Sequence, residues 1–174
     1  KIIQVLSQMM VIVIFLIAIH SNHIVGDMSQ KHEIYMLYDD MGFIPEWIFP
    51  LAFYPESIAS QARFGDDSVA VVPLSEESLT AALNNGKLIY VAAHGANGYI
   101  LLQDGNIMWP KDIDSSQIND DLQYVYLSAC DTGFMHDEWQ DALGNAEVKT
   151  FNRLSTVMEH GKWLLFDGPK IIDA

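Results

Sequence analysis

The sequence predicts one α/β domain whose mostly parallel sheet carries helices on both faces. Three observations point there. Apolar runs rich in Val, Ile and Tyr recur at residues 33–38, 68–73, 87–93 and 123–129, and short runs of this kind suit strands buried on both sides. Stretches of helical character lie between them, and a β-α-β order closes through right-handed crossovers. The 174 residues include a single cysteine, so a hydrophobic core and not a disulfide framework must hold the fold.

Residues 9–19 (MMVIVIFLIAI) are continuously apolar. The run is too short for a comfortable membrane span and fits the apolar centre of a signal peptide, with Lys1 as a minimal basic flank. The cleavage signal at Ala18-Ile19-His20 is poor, which keeps an uncleaved anchor open, with a buried core helix as the third reading. Residues 1–27 are therefore expected to be a signal peptide or anchor plus linker, and residues 28–174 the folded domain. That expectation carries a secreted, periplasmic or membrane-anchored location and contact with a membrane through residues 1–27. His20, His23 and His32 read as exposed linker residues.

The first strand, at residues 33–38, runs into Asp39-Asp40-Met41-Gly42, a turn. Residues 44–64 suggest a helix interrupted by Pro50 and Pro55, with 55–64 the better helical piece. The second strand follows at 68–73. Ser75 reads as an N-cap, with Glu76 and Glu77 suiting the helix dipole, and Asn85-Gly86 ends that helix. The third strand starts at Lys87. Asp104-Gly105, between apolar runs at 99–103 and 106–109, predicts a hairpin. Residues 112–121 are polar and suggest a short helix before the strand that begins at Gln123. Further on, 146–151 alternates with period two as a strand does. Residues 155–166 have helical spacing, but Lys162 to Phe166 also reads as a strand, and the sequence leaves both open.

Two of the strands end in chemically loaded residues. Residues 87–93 lead into His94-Gly95, and residues 123–129 lead into Cys130-Asp131-Thr132-Gly133. In open α/β sheets, sites form at the carboxyl ends of strands. A lone cysteine is commonly a small buried hydrophobe, and a histidine at a strand end is commonly a hydrogen-bonded structural residue. Together at neighbouring strand ends they suggest a nucleophile and its base. Gly95 lacks a Cβ and would let the backbone approach a substrate carbonyl closely. Gly98 and Gly133 would free the flanking loops, and Thr132 would fix the Cys130 loop through hydrogen bonds to the backbone. His136 is a rival partner for Cys130, and His160 reads as structural. The four tryptophans read as core or rim packing.

An apolar strand ending in His94-Gly95, followed by a strand ending in Ala129-Cys130-Asp131-Thr132-Gly133, resembles the CHAT family of caspase-like (clan CD) cysteine peptidases. The resemblance spans most of the chain after about residue 30. It implies a three-layer α-β-α caspase-like fold and peptide-bond hydrolysis by a His94–Cys130 dyad. It further implies an oxyanion hole formed by the backbone N–H groups of Gly95 and Cys130. Members of this class select the residue before the cut. Asp39, Asp40 and Asp131 are the acidic groups at strand ends and would favour a basic residue there by charge pairing. A solvated turn at Asp39-Asp40 and loop capping by Asp131 are the competing readings. A non-catalytic interaction domain on the same fold is the alternative function, motivated by a stretch after Phe151 shorter than the family's.

Several other classes are disfavoured. The formal net charge of −14 argues against nucleic-acid binding, which needs a basic surface. It suits either plain solubility or cationic partners. The sequence has no Gly-x-Ser-x-Gly, no His-Glu-x-x-His and no phosphate-binding glycine loop. The aspartate pairs at 66–67 and 120–121 lack calcium-loop spacing. Neither a metal nor another cofactor is expected, and the expected partner is a protein or peptide substrate. Nothing in the sequence indicates an oligomeric state.

Overall fold

The structure, a computed structural model, describes residues 31–38, 60, 63–65 and 68–168. The expectations for residues 1–27, Asp39 and Asp40 lie outside the described residues, as does most of the expected helix at 44–64. Of that helix, Ser60, Arg63 and Phe64 are described, and all three are helical.

Five parallel strands form the central sheet. They are β1 (Ile34–Tyr38), β2 (Val69–Pro73), β3 (Leu88–Ala92), β7 (Tyr124–Ser128) and β8 (Glu147–Lys149), in the spatial order β2-β1-β3-β7-β8. A small antiparallel sheet of β4 (Gly95–Ala96), β5 (Tyr99–Leu101) and β6 (Ile107–Met108) lies between β3 and β7 in sequence. Its turn is the one Asp104-Gly105 predicts: Gly105 has φ +83° and donates to the Leu102 carbonyl at 2.9 Å.

Strand periodicity sorts the core into two faces. Tyr35, Leu37, Ala70, Val72, Ile89, Val91, Val125 and Leu127 point to one face, where α1 (Glu76–Asn85) and α2 (His136–Ala142) supply Leu79, Ala82, Leu83 and Trp139. Ile34, Met36, Val69, Val71, Leu88, Tyr90, Tyr124 and Tyr126 point to the other. That face is covered by α3 (Val157–Lys162) and the π-helical turn Trp163–Asp167 that continues it, through Trp163 and Leu164. The result is a three-layer α/β fold.

Local signals explain most of the boundaries. Ser75 caps α1 in a capping box with Ser78. Gly86 ends α1 with an extended backbone, and its missing Cβ makes room for Tyr35, whose Cδ2 would lie 2.9 Å from one. Lys87 pairs with Glu33 at 2.8 Å, tying the start of β3 to the start of β1. Residues 112–121 form 3₁₀ turns in place of a longer helix: Asp114 accepts from the Ser116 N–H and from Gln117, holding tight local turns. The ambiguity at 162–166 resolves as helix. The Arg63 guanidinium donates to the carbonyls of Leu164 (2.7 Å) and Gly168 at its C-terminal end, where a helix leaves acceptors unsatisfied. His32 is not an exposed linker residue: its ring packs edge-on against Tyr35 and its backbone N–H donates to the Tyr35 hydroxyl.

The second face is unusually aromatic. Tyr90 stacks on Tyr126 (5.0 Å, 7°), and Trp163 lies 4.0 Å from Tyr126. His160 is 3% exposed and shares a 2.9 Å hydrogen bond with the Tyr126 hydroxyl through Nδ1. Burial pushes the His160 imidazole down to about 4; Glu159 opposes that fall and Arg153 adds to it.

An unfolded histidine titrates near 6.5. Above that pH both states are neutral and His160 is silent. Between about 6.5 and 4 the unfolded chain takes up a proton that the folded chain refuses, so stability falls as the pH drops through this window. The loss amounts to about 3 kcal/mol. His160→Gln abolishes this titration. Denaturant unfolding between pH 7 and 4 should therefore show a shallower loss for the variant than for the wild type, and equal losses would refute the assignment.

Candidate active site

His94 and Cys130 follow the carboxyl ends of adjacent parallel strands. β3 and β7 pair in register from Leu88↔Tyr124 to Ala92↔Ser128. His94 and Cys130 each lie two residues beyond the last pair. The pairing persists past the strands, since the Ala93 N–H donates to the Ser128 carbonyl at 3.2 Å. Ala93 and Ala129 pack into the core face of α1 and α2. His94 follows in the loop after β3, and Cys130 in the turn after β7. Both residues are half-buried, and the Nε2 atom of His94 is shielded from solvent.

Gly95 makes this approach possible. A Cβ there would collide with the Cys130 carbonyl oxygen and lie 3.0 Å from the Tyr99 carbonyl oxygen and 3.1 Å from Ala129 Cβ. Gly95 also opens β4. The Leu101 N–H donates to the His94 carbonyl at 2.9 Å, so the hairpin's hydrogen bonds flank the Gly95↔Ile100 pair. In an antiparallel ladder such a pair directs its own N–H and C=O away from the partner strand. The Gly95 N–H therefore points off the outer edge of β4.

The Cys130 loop is fixed from beneath. Asp131 adopts a left-handed backbone (φ 58°), which aspartate tolerates better than most residues. Thr132, fully buried, donates from Oγ1 to the Ala129 carbonyl (3.0 Å) and accepts from the Phe151 N–H (3.2 Å). The expected role of Thr132 as a loop tie is what the structure shows. Gly133 differs from expectation: it has no positive φ, and its missing Cβ instead makes room for the backbone of Phe151 and Asn152. Gly98 does turn with a positive φ, +99°.

Asp131 sits beside Cys130, half-buried, and its side chain makes no capping hydrogen bond to the turn that follows. His136 is bonded to Thr150 through Nδ1 at 3.0 Å on the surface, and His160 lies within the aromatic face, so each has a structural partner. A surface groove lined by Glu76, Asp112 and Asp114 between α1 and the 3₁₀ turns includes neither His94 nor Cys130. Among the described residues no group of His, Cys, Asp and Glu could hold a metal ion.

Sequence reasoning did not anticipate two residues beside the site. Trp139 donates from Nε1 to the Gly98 carbonyl at 2.7 Å, and Met135 lies against Gly98. Neither has a local signature, because each contact joins segments some 40 residues apart. No protein-family model matches the chain, and no curated protein or solved structure matches it either.

Gly95→Ala should destabilise the fold by about 1–3 kcal/mol, since the backbone of one strand end must move to admit the methyl group. Denaturant unfolding measures this, and an unchanged midpoint would contradict the close approach. Thr132→Val keeps the shape of the side chain but removes both hydrogen bonds. It should cost about 2–4 kcal/mol, because two backbone groups lose a buried partner. Thr132→Ser keeps the hydroxyl and should lose clearly less.

Proposed function

We propose that the chain is a cysteine endopeptidase of the caspase-like CHAT type, with His94 and Cys130 as its dyad. The observation that carries this reading is the register of β3 and β7, with Gly95 packed on the Cys130 carbonyl. That register sets the one nucleophile of its kind and a histidine at the carboxyl ends of adjacent parallel strands, where α/β folds build their sites.

In this mechanism His94 takes the proton of the Cys130 thiol, and the thiolate attacks the scissile carbonyl, forming a C–S bond and a tetrahedral oxyanion. The Gly95 N–H, directed off the β4 edge, and the Cys130 N–H donate to that oxyanion. His94 delivers its proton to the leaving amine as the C–N bond breaks, leaving a thioester. It then takes a proton from the water that hydrolyses the thioester, which returns the cysteine and releases the acid. Asp131, with no cap bond to satisfy its carboxylate, favours a basic residue before the cut. The strongly acidic surface suits a cationic substrate segment. Export or tethering through residues 1–27 belongs to the same proposal; no helix among the described residues is long and apolar enough to cross a membrane.

The second reading is a non-catalytic interaction domain. It draws on Phe134, 64% exposed and four residues beyond Cys130, an apolar ring that a bound partner would cover.

Incubation with a mixed peptide library separates the two. The peptidase reading predicts cuts by the wild type that disappear in Cys130→Ala and His94→Ala, with Lys or Arg enriched before the cut. Asp131→Asn should weaken that enrichment. A folded wild type that makes no cuts, and whose Cys130 alkylates no faster than a free thiol, would instead favour the interaction domain.

A further inference from the structure

We infer that Trp139, together with Met135, is a positioning residue that holds the His94 loop over Cys130; this rests on the dyad reading above. The two loops meet at a second point besides Gly95. After His94 the chain runs through β4 and turns at Asn97 and Gly98, both with positive φ (50° and 99°). Two such residues in succession make a tight reversal whose carbonyls point outward from the turn and need partners. The Gly98 carbonyl finds its partner across the site. Trp139, on α2 and 1% exposed, donates its indole N–H to it at 2.7 Å. Met135, at the end of the 3₁₀ turn that follows the Cys130 loop, fills the space a Gly98 side chain would occupy, its Sδ 2.7 Å from a Cβ built there.

Both clamping residues thus belong to the segment that begins at Cys130, and what they clamp is the segment that begins at His94. The His94 loop is gripped at Gly95 by the Cys130 backbone and at Gly98 by Met135 and Trp139. His94 precedes the first grip by one residue and the second by four. The hairpin cannot rock about Gly95 without pulling the Gly98 carbonyl off the indole. An indole makes a good clamp because it is rigid and large, and its single N–H donor buries well only when bonded. Trp139 is otherwise an ordinary core residue of the α1–α2 face, which is why its polar end is informative.

The test is the rate at which iodoacetamide alkylates Cys130 in the full chain, measured from pH 5 to 9. The dyad reading requires fast labelling below the range of a free thiol and loss of that advantage in His94→Ala. Trp139→Phe keeps the bulk and removes the N–H. It should shift the profile toward that of His94→Ala, with labelling at pH 6.5 slowed by about tenfold, since an unassisted thiol with pKa about 8.5 is only roughly 1% thiolate there. Met135→Ala should shift it in the same direction. Leu79→Ala, equally buried but on α1, should lower the melting temperature and leave the profile in place. A wild-type profile in folded Trp139→Phe would overturn the inference while leaving the dyad standing. If Trp139→Phe does not fold, the profile of Met135→Ala decides. A wild type whose labelling ignores His94 would sink the dyad reading, and the positioning role with it.

Discussion

The parallel pairing of β3 with β7 is the constraint on which the rest of this molecule depends. Once Leu88 lies beside Tyr124 and Ala92 beside Ser128, the faces of both strands are determined one residue beyond their ends. Ala93 and Ala129 turn into the aliphatic layer, and His94 and Cys130 are the next residues along each chain. Slipping the register by a single residue would send every buried side chain of one strand to the wrong face. The core that stabilises the sheet thus also fixes where the chains of His94 and Cys130 leave it. The cost is crowding where the loops leave the sheet, and the glycine at 95 answers it: any side chain would collide with the Cys130 carbonyl.

The two faces of the sheet do different work. Against α1 and α2 the side chains are mostly aliphatic and α2 is anchored by Trp139. Against α3 they are aromatic: Tyr90, Tyr126, Phe151 and Trp163 make ring contacts with one another, and His160 joins them as a neutral hydrogen-bonding partner of Tyr126. Large flat rings fill the layer with few rotatable bonds, and the Tyr126 hydroxyl is satisfied within it by His160. His160 is held neutral there because charging it would need solvation that the rings cannot supply.

Much of this was legible in the sequence. Strands β1, β2, β3 and β7 announce themselves as short apolar runs, β8 as a period-two alternation, the hairpin by Asp104-Gly105 and the start of α1 by Ser75. These features have local causes, so local reading finds them. That residues 94 and 130 follow the ends of neighbouring strands was legible for a different reason, because parallel strands end on one edge of the sheet. What escaped was set by contacts between distant segments. Residues 162–166 carry equal strand and helix signals, and Arg63, about a hundred residues earlier, tips them by binding the helical carbonyls. The bond from Trp139 to Gly98, the clash relieved at Gly133 and the packing of His32 on Tyr35 are of the same kind. The polar segment 112–121 escaped for the opposite reason. Its side chains satisfy the backbone so locally that turns outcompete a helix.

The loop after Cys130 shows why this short motif has the residues it has. To leave β7 and pass into α2, the chain must reverse directly after the cysteine, and one residue takes a left-handed backbone to do so. Glycine would adopt it without strain but would add freedom to the turn. Asp131 adopts it at modest cost and leaves a carboxylate on the rim. That reversal brings Thr132 back under the strand end, where one hydroxyl bonds both the Ala129 carbonyl and the Phe151 N–H. Gly133 then slides against the backbone beyond β8. Each residue from 129 to 133 thus answers a separate steric or hydrogen-bonding demand, and together they pin the Cys130 backbone from both sides. The constraint concentrates on the backbone, so the partly exposed Cys130 keeps a fixed place at the end of β7.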